Sequence, residues 1–81
     1  MAIPAKLKCF HITIPECKYF AVSYAARPEK ALKDALNIAF DRRGIKCFRL
    51  DNREFNDATR FINYIKSVNR MDVYVKETKP A

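Results

Sequence analysis

Glycine is almost missing from this chain: Gly44 is the only one among 81 residues. Tight turns commonly need glycine, so a sandwich or barrel of many short strands is not expected. The glycine-rich loops that cradle nucleotide phosphates are excluded too, since neither GxxxxGK[ST] nor GxGxxG occurs. The sequence therefore predicts a few longer elements and argues against nucleotide-dependent enzymes of the usual kinds.

Residues that bind metals or form disulfides are also scarce. The chain has no HExxH motif, no Cys-x-x-Cys pair and no carboxylate cluster with metal spacing, so we predict no metal and no cofactor. Cys9, Cys17 and Cys47 are odd in number, which argues for a reducing compartment rather than a secreted disulfide scaffold. No signal segment opens the chain, and no apolar run approaches the roughly 18 residues of a membrane span. We therefore expect a cytoplasmic protein that does not bind membranes.

Basic residues outnumber acidic ones, with 16 Lys and Arg against 9 Asp and Glu and a net charge of +7. On so small a protein this excess creates a positive potential that attracts nucleic acid or an acidic partner. The alternative is that the charge serves solubility alone. The hydrophobic fraction of 49% is typical of a globular protein, so residues 1–81 are expected to form one domain with 1–5 and 77–81 frayed.

Two stretches near the start alternate in side-chain character, as half-buried strands do. Residues 7–14 form the first, and residues 17–25 form the second after a break at Pro15. The short gap between them predicts an antiparallel hairpin. The side chains expected to face the core are Phe10, Ile12 and Ile14 in the first strand and Phe20, Val22 and Tyr24 in the second, which leaves Tyr19, Ala21 and Ser23 outward.

Two later segments have the spacing of amphipathic helices. At Pro28 the apolar period changes from two to about 3.6, and the helix that begins there is expected to end before Gly44. A second helix is predicted from a cap at Asn56 or Asp57 to about Val68.

The third and fourth strands are predicted over residues 45–50 and 71–76, separated from the helices by polar connections. The order ββαβαβ indicates an α+β fold, a two-layer sandwich in which two helices pack on one face of a four-stranded mixed sheet. In the last strand the expected inward residues are Met71, Val73 and Val75, and the expected outward residues are Tyr74 and Lys76.

The outward residues of these strands suggest a binding surface on the uncovered side of the sheet. They include the rings of His11, Tyr19 and Tyr74 and the cations of Arg49 and Lys76. Rings stack on unpaired bases and cations meet phosphates, so this set suits single-stranded nucleic acid. The alternative is that such residues simply favour a solvated sheet face.

A second candidate surface is the basic corner formed by Arg42, Arg43 and Lys46, with Arg49 close behind in sequence. It suits a phosphate or an acidic group. The alternative is that Arg42 and Arg43 complement the dipole at the end of the first helix.

These features favour a small non-enzymatic basic module that binds nucleic acid or a nucleic-acid-handling complex. The alternative is a phage or mobile-element inhibitor or adaptor that acts by protein–protein binding, as anti-CRISPR proteins do. A small nuclease is a third possibility, with His11 as the only available imidazole base. A zinc site from Cys9, His11 and Cys47 is disfavoured because no carboxylate supports it. A homodimer is also possible, since Ile38 widens the apolar face of the first helix.

Overall fold

The computed structural model describes residues 7–78, and it has the α+β class expected from the sequence. A single 3-10 turn, Pro15–Cys17, joins the first two strands. The strands are β1 (Lys8–Ile14), β2 (Tyr19–Ala25), β3 (Phe48–Leu50), β4 (Arg53–Phe55) and β5 (Val75–Thr78), and the helices are α1 (Pro28–Asp41), α2 (Ala58–Ser67) and α3 (Met71–Tyr74). The expected fraying of 1–5 and 79–81 lies outside the described residues.

The strands form two antiparallel sheets, so the predicted four-stranded mixed sheet is not confirmed. The larger sheet has the order β2-β1-β5, and β3 pairs only with β4. The hairpin of β1 and β2 is confirmed, with Ile14 opposite Tyr19. Helix α1 packs against β2, and α2 packs against α1 and β4. The parallel crossovers expected from the element order therefore do not occur in residues 7–78.

The small second sheet replaces a segment that was predicted to be a polar connection. Asp51 and Asn52 form its two-residue turn, and both have positive φ, at 54° and 65°. Such a turn matches the right-handed twist of the strands on either side, and Asp and Asn are the non-glycine residues that tolerate this backbone best. Arg49 and Glu54 face each other across the hairpin and form an ion pair at 3.5 Å.

The prediction for the two faces of β2 is wrong: Tyr19 and Ala25 are buried, whereas Phe20 is 59% exposed. The pairing with β1 decides this, because directly opposite residues share a face of the sheet. Since Ile12 and Ile14 are buried, their partners on β2 face inward. The inward residues after Tyr19 are small, which allows α1 to approach the strand closely.

Tyr19 connects β2 to the helix that covers it. Its hydroxyl donates to the backbone carbonyl of Ala35 at 3.0 Å, in a buried site. Burial raises the pKa of this hydroxyl, while the nearby Arg43 guanidinium opposes the shift, so the group remains a donor at neutral pH. The buried ring with its satisfied hydroxyl corrects the expectation that Tyr19 lies on an outward face.

We predict that Tyr19→Phe lowers the free energy of unfolding by about 1 kcal/mol, the usual net value of one hydrogen bond. The ring and its packing are retained, so only the bond to Ala35 is lost. Urea denaturation of both proteins measures the difference. A variant as stable as the wild type would contradict the structural role of this bond.

The two long helices follow the sequence closely. Helix α1 begins at Pro28 and buries Ala31, Leu32, Ala35, Leu36 and Ala39, and Gly44 beyond it has φ of +69°. The Asp57 carboxylate caps α2 by accepting from the backbone N–H of Arg60 at 3.1 Å. Ile38 stays 50% exposed on the flank of α1.

The C-terminal part differs from the strand predicted over residues 71–76. Its first half is the helical turn α3, which leaves Val73 60% exposed and buries Tyr74, so both side chains take the opposite environment to the expected one. Strand β5 then continues through Glu77 and Thr78, which pair with β1 and are not frayed. Burial raises the pKa of the Tyr74 hydroxyl, which donates to Glu16 at 3.1 Å.

A polar network fixes the turn of the small sheet to the end of α2. The Tyr64 hydroxyl donates to the Asp51 carboxylate, and Arg70 Nη1 donates to the same oxygen at 3.0 Å. The hydrogen bond from Tyr64, together with Arg70, lowers the pKa of Asp51. Arg70 also contacts the hydroxyl of Tyr74 at 3.4 Å.

We predict that Asp51→Asn is less stable than the wild type at neutral pH and that this difference disappears in acid. A carboxyl whose pKa is lowered by folding contributes stability above its unfolded pKa, about 3.9, and loses that contribution as the pH falls through the folded value. Denaturation midpoints measured from pH 7 down to about pH 2 test this, since protonated Asp51 accepts no better than Asn. A constant difference at all pH values would contradict it.

Candidate functional site: the open face of the sheet

One side of the β2-β1-β5 sheet points away from the helices, and we call it the open face. Phe10 and Ile12 are buried in the core, so the residues of β1 that alternate with them point to the open face. Their cross-strand partners on β2 and β5 point to the same face. These are Cys9, His11, Thr13, Phe20, Val22, Tyr24, Lys76 and Thr78.

Large apolar and aromatic groups dominate the open face. Phe20 is 59% exposed and Tyr24 is 65% exposed, with Val22 between them. Four residues along a strand span roughly 13 Å, which is the spacing expected between the two rings. The His11 ring stands edge-on to Phe20, with ring centroids 5.9 Å apart. Solvent-exposed aromatic groups on neighbouring strands are typical of an interaction surface.

Positive charge borders these rings, and none of the eight side chains of the open face is acidic. Lys76 lies directly opposite His11 in the pairing of β1 with β5. The exposed Val73 adjoins them in a shallow depression. On the other side, Arg43 lines a groove together with Phe20. Glu77 also lines the depression beside Val73, although alternation places it on the other face of β5, and its carboxylate pairs with Lys8 at 3.7 Å.

Hydrogen-bonding groups also reach this surface. The hydroxyl of Tyr24 lies beside the Cys9 thiol, and this interaction raises the pKa of Tyr24. The hydroxyl is therefore protonated at neutral pH and able to donate. His11 and Thr13 are exposed on β1 and offer further donors and acceptors.

The structure brings together only part of the surface proposed from the sequence. His11 and Lys76 are exposed and adjacent on the open face, whereas Tyr19 and Tyr74 are buried and lie outside it. Arg49 is exposed on the separate β3–β4 sheet, where its guanidinium pairs with Glu54.

The sequence prediction missed Phe20 and Tyr24 because it assigned them to the core. The signal that could have identified them is the hairpin connection: the pairing of Ile14 with Tyr19 leaves four residues between them and fixes which residues of β2 face outward. The small residues that alternate with the rings are a second signal.

The basic corner lies beyond the end of α1. Arg42, Arg43 and Lys46 are exposed, and none of them belongs to an ion pair within residues 7–78. Arg42 donates its backbone N–H to the carbonyl of Ile38 and so closes the helix. These three cations remain available to a partner, unlike Arg49, whose charge is compensated by Glu54.

The cysteines contribute no metal centre to the described part of the chain. Cys17 is half-buried, its thiol donates to the carbonyl of Arg49 at 3.2 Å, and burial raises its pKa. Cys47 lines the same surface depression as Cys17, away from Cys9 and His11. Between residues 7 and 78, no three side chains of His, Cys, Asp or Glu are grouped closely enough to hold a metal ion.

Comparison with known proteins gives no relative for this arrangement. No protein-family model, curated protein or solved structure is significantly similar to the chain. None of the helices formed by residues 7–78 has the length and apolar character needed to cross a membrane.

Proposed function

We propose that this protein binds single-stranded nucleic acid on its open face. The observation that carries the proposal is the pair of exposed rings, Phe20 and Tyr24, on an uncovered sheet that also presents His11 and Lys76. The net charge of +7 and the absence of any carboxylate among these eight side chains support the same conclusion.

The rings of the open face provide the base contacts in this proposal. An exposed aromatic ring stacks on any base, which contributes about 1–3 kcal/mol for each base. Phe20 and Tyr24 each accept one base, and the edge-on His11 ring limits how Phe20 turns. Bases inside a duplex are already stacked on one another, so this surface favours unpaired strands.

The cations provide the phosphate contacts. Lys76 lies beside His11 at one side of the rings, and Arg43 lies near Phe20 at the other. A strand that crosses the sheet over Phe20 therefore meets positive charge on both sides. Such contacts act on the backbone and select no sequence, so we expect a general rather than a sequence-specific binder.

We also propose that the protein is not an enzyme and that His11 serves as a ring of the binding surface. Its ring packs against Phe20, and no hydrogen bond joins it to a carboxylate in the described residues. If His11→Ala removed a nuclease activity of the purified protein, this part of the proposal would be wrong.

Binding of a labelled single-stranded oligonucleotide of roughly 12 nucleotides tests the function directly. We expect tighter binding to the single strand than to its duplex. If the oligonucleotide contacts about three phosphates, the logarithm of the affinity should fall with that of the salt concentration with a slope of about −2. No binding even at about 50 mM salt would contradict the proposal.

A pair of charge reversals separates contact at the open face from general attraction to a basic protein. Lys76→Glu and Lys33→Glu change the net charge equally, but Lys33 is exposed on α1 and lies outside the open face. We expect Lys76→Glu to weaken oligonucleotide binding by about tenfold and Lys33→Glu to have a much smaller effect. Fluorescence anisotropy at one salt concentration measures both, and equal losses would contradict the assignment of the open face.

A further inference from the structure

A second surface lies at the outer edge of β2, and we call it the edge groove. It runs between the edge of β2 and helix α1. Within residues 7–78, β2 pairs only with β1, so the backbone groups along its other edge have no partner strand. The groove is lined by the residues of β2 from Tyr19 to Ser23 and by Ala35, Ile38 and Arg43.

The composition of β2 leaves this edge open to pairing with a further strand. Its seven residues, Tyr-Phe-Ala-Val-Ser-Tyr-Ala, include no charge and no proline. Proteins normally protect an edge strand with lysine, other charges, proline or a bulge, because an unprotected edge pairs with further strands. The opposite edge of the sheet, β5, carries the charged side chains of Lys76 and Glu77. Strand β2 therefore lacks the usual protection although it is the longer of the two edges.

The apolar side chains beside this edge offer more than backbone pairing. Ile38 is 50% exposed on the flank of α1 that borders the groove, and Val22 is 46% exposed on β2. A strand laid along β2 would place alternate side chains toward α1, where Ile38 and Ala35 form an apolar floor. Such a contact would cover the apolar flank of α1 that the core leaves exposed.

The charge of the groove indicates the chemistry of its occupant. Among residues 7–78, Arg43 is the only charged residue that lines it, and the exposed Arg42 precedes it just after α1. Neither arginine forms an ion pair within the described residues. A second copy of this chain would offer the uncharged β2 and leave Arg43 without a counter-charge. A segment with acidic residues beside its strand complements the groove better.

We propose that the edge groove binds an extended, acidic segment of a partner protein, which adds to the sheet as a strand alongside β2. Alternate apolar side chains of that segment pack on Ile38, and a carboxylate beside them pairs with Arg43. This interaction is centred on the edge of the sheet, and it shares Arg43 with the proposed path of the nucleic acid. It gives the inhibitor or adaptor alternative a surface beside the open face.

The test uses a synthetic peptide of alternating threonine and valine with two glutamates at each end, so that either strand direction meets Arg43. The control peptide carries lysines in place of the glutamates. In NMR titrations we expect the acidic peptide to shift the amide signals of β2 and α1 and to slow hydrogen exchange in β2, because paired amides exchange slowly. Failure of the acidic peptide to bind, or equal binding of both peptides, would overturn the proposal.

Two substitutions locate the interaction. Arg43→Glu should reverse the preference between the two peptides, whereas Lys33→Glu, with the same change of net charge, should keep it. Ile38→Lys should weaken binding of the acidic peptide by about tenfold, since it places a charge on the apolar floor of the groove. Peptide binding that is unchanged by both Arg43→Glu and Ile38→Lys would show that the peptide binds elsewhere and would overturn the proposal.

The outcomes are distinguishable from those for the open face. Lys76→Glu should weaken binding of the oligonucleotide and leave binding of the peptide unchanged. Lys76 is on β5, at the edge of the sheet opposite to β2. Sedimentation of the free protein tests self-pairing. A dimer that Ile38→Lys converts to monomer would assign the edge groove to a second copy and overturn the acidic-peptide proposal.

Discussion

Replacing Phe20 and Tyr24 together by alanine should weaken the binding of single-stranded oligonucleotide by about 30-fold or more. Each ring–base stack contributes about 1–3 kcal/mol, and every 1.4 kcal/mol corresponds to about tenfold in affinity. Both side chains are more than half exposed, so stability should change little. Fluorescence anisotropy at fixed salt measures the affinity, and thermal unfolding checks that the variant remains folded.

Two controls make this result specific to the rings. Val68→Ala removes an apolar side chain, 36% exposed, that follows α2 and lies outside the open face, so its oligonucleotide affinity should equal that of the wild type. Tyr24→Phe retains the ring and should retain most of the binding. If the double alanine variant binds as well as the wild type, stacking on the open face is not the basis of any nucleic-acid binding.

The largest effect on stability is expected from Phe48→Ala, which should lower the free energy of unfolding by about 3–5 kcal/mol. Phe48 is 3% exposed and joins elements from across the chain. Its ring centroid lies 5.1 Å from that of Tyr19, 5.4 Å from Phe40 and 5.5 Å from Phe61. The lost ring leaves a cavity where β2, α1 and α2 meet β3. Small domains commonly have about 5 kcal/mol of stability or somewhat more, so much of the variant should be unfolded at 37 °C.

Chemical denaturation followed by circular dichroism measures this loss. Phe48→Leu keeps most of the buried volume and should cost clearly less than Phe48→Ala, about 1 kcal/mol. Phe20→Ala provides a matched control, because it makes the same chemical change at a position that is 59% exposed. Equal losses at Phe48 and Phe20 would contradict the packing described for the core.

The local elements could largely be predicted from the sequence because their signals lie within a few residues. Pro28 marks the start of α1, and the 3.6-residue spacing of apolar side chains identifies its buried face. Asp57 caps α2 with a side chain that reaches only three residues along the chain. The buried side of β1 follows from simple alternation, since Phe10, Ile12 and Ile14 are large and apolar and their neighbours are polar or small.

The pairing of the strands could not be predicted in the same way, because it depends on contacts between distant segments. A strand as short as Phe48–Leu50 has no sequence pattern that indicates which other strand it pairs with. Its turn residues, Asp51 and Asn52, were the available signal for a local hairpin. Tyr74 has the alternation of an outward residue, yet its ring is buried and its hydroxyl donates to the exposed Glu16, 58 positions earlier in the chain.

The residues of the candidate site likewise include some that the sequence predicts and some that depend on strand pairing. The basic charge, the two long helices, the buried side of β1 and the exposure of His11 and Lys76 could all be predicted from the sequence. That Phe20 and Tyr24, rather than Tyr19 and Tyr74, provide the rings of the open face emerges only from the folded chain. Cross-strand register sets the two sides of β2. A shift of one residue exchanges them, and register depends on pairing with β1 and on how closely α1 can approach.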